Sequence, residues 1–176
     1  ITEALRLINY KDIKINDSDN TVFLSKKGMK LDLGAIAKGF AADDLVSLCK
    51  KWKIKHAILD LGGNIYAFGE KKKGTPWTVG IRDPYNESNK PIASLQVTNQ
   101  SVVTSGVYER FFEQDGIRYH HILDTQTGFP VENNLVSVTI ISPVSMLADT
   151  LSTSVFALGS EKGKTEVERV SRSEEH

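Results

Sequence analysis

The stretch Met146-Leu-Ala-Asp-Thr-Leu-Ser-Thr-Ser-Val-Phe-Ala-Leu-Gly159 constrains the fold of this chain more than any other. Pro143 and Ser145 precede it as a helix start, and Gly159 closes it as a helix stop. Leu147, Leu151, Val155 and Leu158 recur at i, i+4, i+8 and i+11, which makes one apolar face that other elements must cover. On another flank Asp149 and Thr153 stand four residues apart, so a carboxylate and a hydroxyl lie one above the other. Two hard oxygens on adjacent turns are half of a hard-cation site, which Mg²⁺ completes with water and substrate phosphate. On this helix alone a plainer account serves better: an acid favoured by the helix dipole and a threonine bonded back to a carbonyl.

The covering elements are mostly strands. Asp12–Asn16 and Thr21–Ser25 flank the turn Asp17-Ser-Asp-Asn20 and read as a hairpin, after Ile1–Tyr10, which reads as the tail of a helix. Two strand-like runs in His56–Phe68 flank Gly62-Gly63-Asn64, where positive φ is cheap. Trp77, Val79 and Ile81 alternate with polar neighbours, as do Ala93, Leu95 and Val97, on either side of an exposed loop over Asp83–Pro91. Ser101–Ser105 and Arg110–Glu113 are expected to continue the sheet, with Ile117–Leu123 returning after a turn and Val136–Ser142 as the last strand. An amphipathic helix over about Ala35–Trp52, with a buried stripe of Ala37, Ala41, Leu45, Leu48 and Trp52, joins the late helix. A polar helix over Thr165–Ser171 leads into a charged tail. The pattern is α+β (mixed α/β), an antiparallel-rich β-sheet packed with helices.

Composition excludes more than it selects. Lys+Arg and Asp+Glu both number 22, so nothing directs the chain to nucleic acid or a membrane surface. Cys49 is the one cysteine, which rules out an internal disulfide and a multi-cysteine metal site. No apolar run is long enough to span a bilayer. The chain begins on Ile1, without Met and in what reads as mid-helix, so it is taken as a piece of a longer protein.

Three further spots invite a chemical reading. Asp32-Leu-Gly-Ala-Ile-Ala-Lys-Gly39 is a strand–turn–helix junction where backbone N–H groups and the Lys38 ammonium attract phosphate, although its glycine spacing is not that of a Walker A loop. His120 and His121 lie on a strand and point to opposite faces, so they cannot share one metal. One of them can face a cleft and act as a base, since imidazole titrates near pH 6.5 in water. In Val103-Thr-Ser-Gly106, Thr104 and Ser105 bring hydroxyls to a strand end where a pocket or a plain turn fits equally well.

Five blocks together resemble a known family. Asp32–Asp43, Leu61-Gly-Gly-Asn64, Ser101–Gly106, His121-Ile-Leu-Asp-Thr-Gln-Thr-Gly-Phe-Pro130 and Ala148–Thr153 occur in the order found in ApbE-like proteins, the FAD:protein FMN transferases once described as thiamine-biosynthesis lipoproteins. The resemblance implies one ApbE-like domain over residues 1–176 that lacks the family's N-terminal portion, from which part of the flavin pocket comes. It implies Mg²⁺-dependent cleavage of FAD, transfer of FMN to a Thr or Ser hydroxyl of an acceptor protein, and release of AMP. By position Asp149 and Thr153 match the side-chain metal ligands, with the Ala35 carbonyl as a third. Asp32, Lys38 and Ile122 fall near FAD contacts, Thr104 and Ser105 are counted with them, and His121 matches the histidine that assists the chemistry. The family acts outside the cytoplasmic membrane on a lipoprotein or membrane redox subunit, with possible membrane anchoring through the N-terminal segment.

Three readings follow from these residues. The first is the FMN transferase. The second is a Mg²⁺-dependent FAD pyrophosphatase with water in place of the acceptor hydroxyl, and the third is a non-catalytic FAD-binding protein. The Asp149/Thr153 pair argues against the third, because flavin binding alone needs no cation.

Overall fold

The structure is a computed structural model that describes residues 1–85, 90–108 and 110–174. Part of the expected Asp83–Pro91 loop and the end of the charged tail therefore lie outside the described residues. In chain order the elements begin with a single-turn helix α1 (Thr2–Leu5) and a 3₁₀ turn over Tyr10–Asp12. The hairpin β1 (Ile13–Asn16) and β2 (Thr21–Leu24) and the helix α2 (Ala37–Lys51) follow. Next come β3 (Ala57–Asp60), β4 (Asn64–Phe68), β5 (Trp77–Arg82), β6 (Pro91–Val97) and β7 (Gln100–Gly106). The chain then forms β8 (Phe111–Gln114), β9 (Ile117–His120), β10 (Ser137–Ser142), α3 (Ser145–Leu158) and α4 (Ser160–Glu174).

One antiparallel sheet in the order β10-β7-β4-β3 organises the molecule. The β3–β4 connection is a two-residue turn: Leu61 N–H donates to Asn64 O at 2.9 Å, and Gly62 and Gly63 have φ of 68° and 83°. Both central residues at positive φ make the primed turn whose twist matches the strands, and glycine adopts it without steric cost. The turn brings Asn64 opposite Val103 on β7.

Strand alternation then sorts the residues into two faces. Tyr66 and Phe68 of β4 meet Val46 and Cys49 of α2 on one side. Ala67 of β4 and Val102 of β7 meet Val79 of β5 and Val97 of β6 on the other. The sheet is thus a middle layer between the α2–α3 pair and the β5–β6 ribbon. The mixed α+β class and the antiparallel sheet agree with the sequence reading.

Several local expectations change. The buried face of α2 is Gly39, Ala42, Val46 and Cys49, whereas Trp52 is 70% exposed and Leu45 and Leu48 are partly exposed. The stripe picked by residue size points outward because α2 crosses α3 so closely that only small residues fit between them. Leu158 is likewise exposed, and α3 buries Ser145, Ala148, Asp149 and Ser152 beside Leu151, Val155 and Phe156. β8 and β9 pair only with each other and do not extend the sheet. α4 starts at once after Gly159 and covers more of the C-terminal part than Thr165–Ser171. Among the described residues no helix is long and apolar enough to cross a membrane.

Candidate functional site

The α2–α3 crossing builds the site. An added Cβ on Gly39 would come to 2.5 Å from both Met146 Cα and Ser145 O, so the two backbones meet where α2 has no side chain. Neither helix start is capped from within: Ile36 and Val144 occupy the cap positions and make no side-chain bond. Each helix receives its cap from the other. Asp149 Oδ2 of α3 accepts the Gly39 N–H of α2 at 2.8 Å. In return the Asp43 carboxylate of α2 accepts the Ser145 and Met146 N–H groups, both at 2.9 Å. Free amides and the positive end of a helix dipole favour a carboxylate at both places.

Asp149 is accordingly buried, at 3% exposure. Burial pushes its carboxyl above the usual carboxylate range. The Gly39 amide, the Lys38 charge, the Asn64 amide and the Lys38 amide pull in the opposite direction. Lys38 does not neutralise the acid directly, since its Nζ donates to the Gly62 carbonyl at 2.9 Å. One turn along α3, Thr153 Oγ1 lies 3.2 Å from Ser105 Oγ, which is also 2.9 Å from Ser152 Oγ. The hydroxyl that could bond back to its own helix is instead held by β7.

A polar node lies behind Asp149. Asn64 is fully buried, and its Oδ1 accepts Ser145 Oγ at 2.9 Å and Ser101 Oγ at 3.4 Å. The two serine hydroxyls are 2.8 Å apart. The Asn64 amide nitrogen stands near enough to the Asp149 carboxylate to lower its pKa, yet completes no hydrogen bond of good geometry. Asp43, Asn64, Ser101 and Ser145 escaped the sequence reading as site residues. Asp43, Asn64 and Ser101 sat inside motif blocks, but only the fold brings them to Asp149.

The remaining sequence-chosen residues divide. Asp32 accepts the Gly34 N–H at 2.7 Å and so shapes the exposed turn that carries Ala35 into α2. Thr104 lies on the other face of β7 from Ser105 and pairs with Thr139 at 2.9 Å, away from α3. Ile122 is buried, and its carbonyl accepts the Val131 N–H. His120 and His121 separate as strand geometry requires. His120 is buried edge-on to Phe156, with Nε2 3.2 Å from Val131 O, and burial lowers its pKa. His121 is exposed just past β9, with Nδ1 3.1 Å from Arg110 O. A carbonyl only accepts, so this contact needs a proton on Nδ1 and leaves Nε2 turned away from Arg110.

The donor set decides what this arrangement can hold. Among the described residues no group of three or more His, Cys, Asp or Glu side chains gathers, which excludes a zinc-type centre there. A single buried carboxylate, a hydroxyl and a helix-start carbonyl are hard oxygens. They suit a magnesium-like cation that keeps water and substrate phosphate as its other ligands. The α2 amides beside them favour anionic oxygens.

These features define an α+β domain with a single buried carboxylate at a helix start. The chain belongs to the ApbE family, whose family model matches residues 1–174. It is 46% identical over 175 residues to the FAD:protein FMN transferase of Treponema pallidum, covering 92% of this chain and 48% of that protein. It is 44% identical over 163 residues to the FAD:protein FMN transferase of Klebsiella pneumoniae, covering 93% and 50%. Among solved structures, the ApbE protein of Thermotoga maritima matches with a TM-score of 0.82 and 37% identity over 93% of this chain and 52% of that one. The apo flavinyl transferase ApbE of Pseudomonas stutzeri matches with a TM-score of 0.78 and 32% identity, over 97% and 52%. The chain thus spans about half the length of these relatives.

Proposed function

We propose that this chain carries the cation-binding and proton-accepting part of a transferase that cleaves FAD and attaches FMN to a Thr or Ser of an acceptor protein. The observation that carries the reading is the buried Asp149 carboxylate, seated on the first-turn amides of α2 one turn from the Thr153 hydroxyl. The names of the relatives support the substrate and the reaction.

Mg²⁺ bound by Asp149, Thr153 and the Ala35 carbonyl would supply charge neutralisation for the non-bridging oxygens of the FAD diphosphate. The protein's own groups do the rest. The α2 amides and the Lys38 ammonium orient the diphosphate and stabilise charge on it. The acceptor hydroxyl attacks the phosphorus that bears the FMN moiety, and its proton passes to Nε2 of His121. The P–O bond to the second phosphate breaks, and AMP leaves with that oxygen. A well-placed base contributes about a hundred- to ten-thousand-fold. His121 is exposed, as a residue that meets a second protein must be.

The acceptor is proposed to be a lipoprotein or membrane redox subunit, and the reaction to take place outside the cytoplasmic membrane at its surface. Incubation with FAD, Mg²⁺ and such an acceptor should add the mass of FMN to the acceptor and release AMP. Asp149→Ala should lower transfer at least about a thousandfold, and a chelator should do the same to the native protein. Free FMN and AMP with an unmodified acceptor would identify a pyrophosphatase instead. Transfer that survives both the chelator and Asp149→Ala would sink the cation assignment.

A further inference from the structure

We infer that Asn64 is a positioning residue of the cation site, whose buried side-chain amide orients the Asp149 carboxylate toward the metal. The inference rests on the cation reading above and adds to it a residue that touches neither metal nor substrate.

The argument begins with an orphaned atom. Asn64 is completely buried, and its Nδ2 has no hydrogen-bond partner. A buried donor left unsatisfied costs about 1–3 kcal/mol, so a fold that keeps one has a use for it or a partner that arrives later. The amide cannot simply turn round to relieve the cost. Its Oδ1 accepts the Ser145 hydroxyl at 2.9 Å, and the single Ser101 proton beside it has Ser145 Oγ at 2.8 Å, Ile65 O at 3.2 Å and Asn64 Oδ1 at 3.4 Å as its possible acceptors. With the oxygen on the Ser145 hydroxyl, Nδ2 is the other arm of the amide and points away from Ser145, and Asp149 stands one turn along α3 on the same buried face as Ser145.

Asp149 needs such a partner. The Gly39 amide grips Oδ2 alone, and a carboxylate held at one oxygen keeps freedom about its Cβ–Cγ bond. A second donor approaching from Asn64 removes that freedom. A bound cation that ordered the carboxylate would let the Nδ2 contact close and so satisfy the orphan. Ligating carboxylates are commonly held by hydrogen bonds from such supporting groups, and losing one costs roughly tenfold to a hundredfold in metal affinity. Aspartate at this position would set a second negative charge beside Asp149, and alanine would offer no donor.

Two measurements test this. In the ¹⁵N-labelled native protein, the Asn64 side-chain NH₂ signals should shift on addition of Mg²⁺ and exchange more slowly with solvent. In a Mn²⁺ titration followed by electron paramagnetic resonance, Asn64→Leu should weaken binding about tenfold to a hundredfold, while FAD binding in the presence of chelator stays unchanged. Val102→Ala, which thins the apolar cluster on the other face of the sheet, separates positioning from general support. It should lower thermal stability with less than about a threefold change in Mn²⁺ affinity, the tenfold figure being the lower bound for a lost supporting bond. Equal Mn²⁺ affinity in native and Asn64→Leu protein would overturn the inference and leave the proposed function standing. Absence of Mn²⁺ binding to the native protein would overturn both. If Asn64→Leu does not fold, the native NH₂ signals decide, and their indifference to Mg²⁺ refutes the positioning role.

Discussion

Strands β4 and β7 present two faces, and the contrast between them separates support from chemistry. Toward the helices, β4 and β7 offer Asn64, Tyr66, Ser101 and Ser105, and their polar atoms bond across the layer. Tyr66 Oη donates to Asn99 O and Pro143 O, Ser101 joins Ser145, and Ser105 joins Ser152 and Thr153. Toward the β5–β6 ribbon the same strands offer Ala67 and Val102, which meet Val79 and Val97 in a dry cluster. Buried polar groups are costly unless partnered, so their concentration on one face marks where the sequence retains something other than stability. The dry face holds the scaffold, and the polar face holds Asp149 in place.

The strongest way to break this contrast is at Gly39. Gly39→Ala drives a methyl into the backbone of Met146 and Ser145, which cannot rotate aside. A loss of about 3 kcal/mol is expected in denaturant unfolding, and metal-dependent activity should fall in whatever protein remains folded. Val102→Ala sharpens the comparison from the other side. It should cost about 2 kcal/mol through lost burial and a small cavity, with activity per folded molecule unchanged. A drop in specific activity for Val102→Ala would show that the two faces are coupled.

The smallest effect concerns pH. Burial lowers the pKa of His120, so the unfolded chain binds the proton more readily than the folded one. Its contribution to stability is full above the unfolded value of about 6.5 and is lost as pH falls below it through the folded value. Melting temperatures measured from pH 8 to pH 5 should therefore decline less steeply for His120→Gln than for the native protein. Identical slopes would show that His120 binds its proton equally well in the folded and unfolded chains.

Much of this was legible before the coordinates. The Gly62–Gly63 turn, the alternating strands and the Asp149/Thr153 spacing are local patterns, and local patterns fix local geometry. The opposed faces of His120 and His121 follow from strand alternation alone. What was not legible depends on tertiary crossing. Periodicity ranks residues by hydrophobic size, so it chose Leu45, Leu48 and Trp52 for burial in α2. The close approach at Gly39 rewards small residues instead. Asp43 gives no local sign of its capping role, because its amide partners are about a hundred residues away in sequence. Thr104 and Ser105 were chosen together, but adjacent strand residues face opposite ways and only Ser105 reaches Thr153.

The reciprocal caps of α2 and α3 carry a mechanical consequence. Each helix supplies the acid that closes the other's first turn, so sliding one past the other would break all three of these hydrogen bonds at a single stroke. The pair therefore behaves as one stiff clasp. Among the described residues the β8–β9 ribbon pairs with no other strand, and it leads directly to His121.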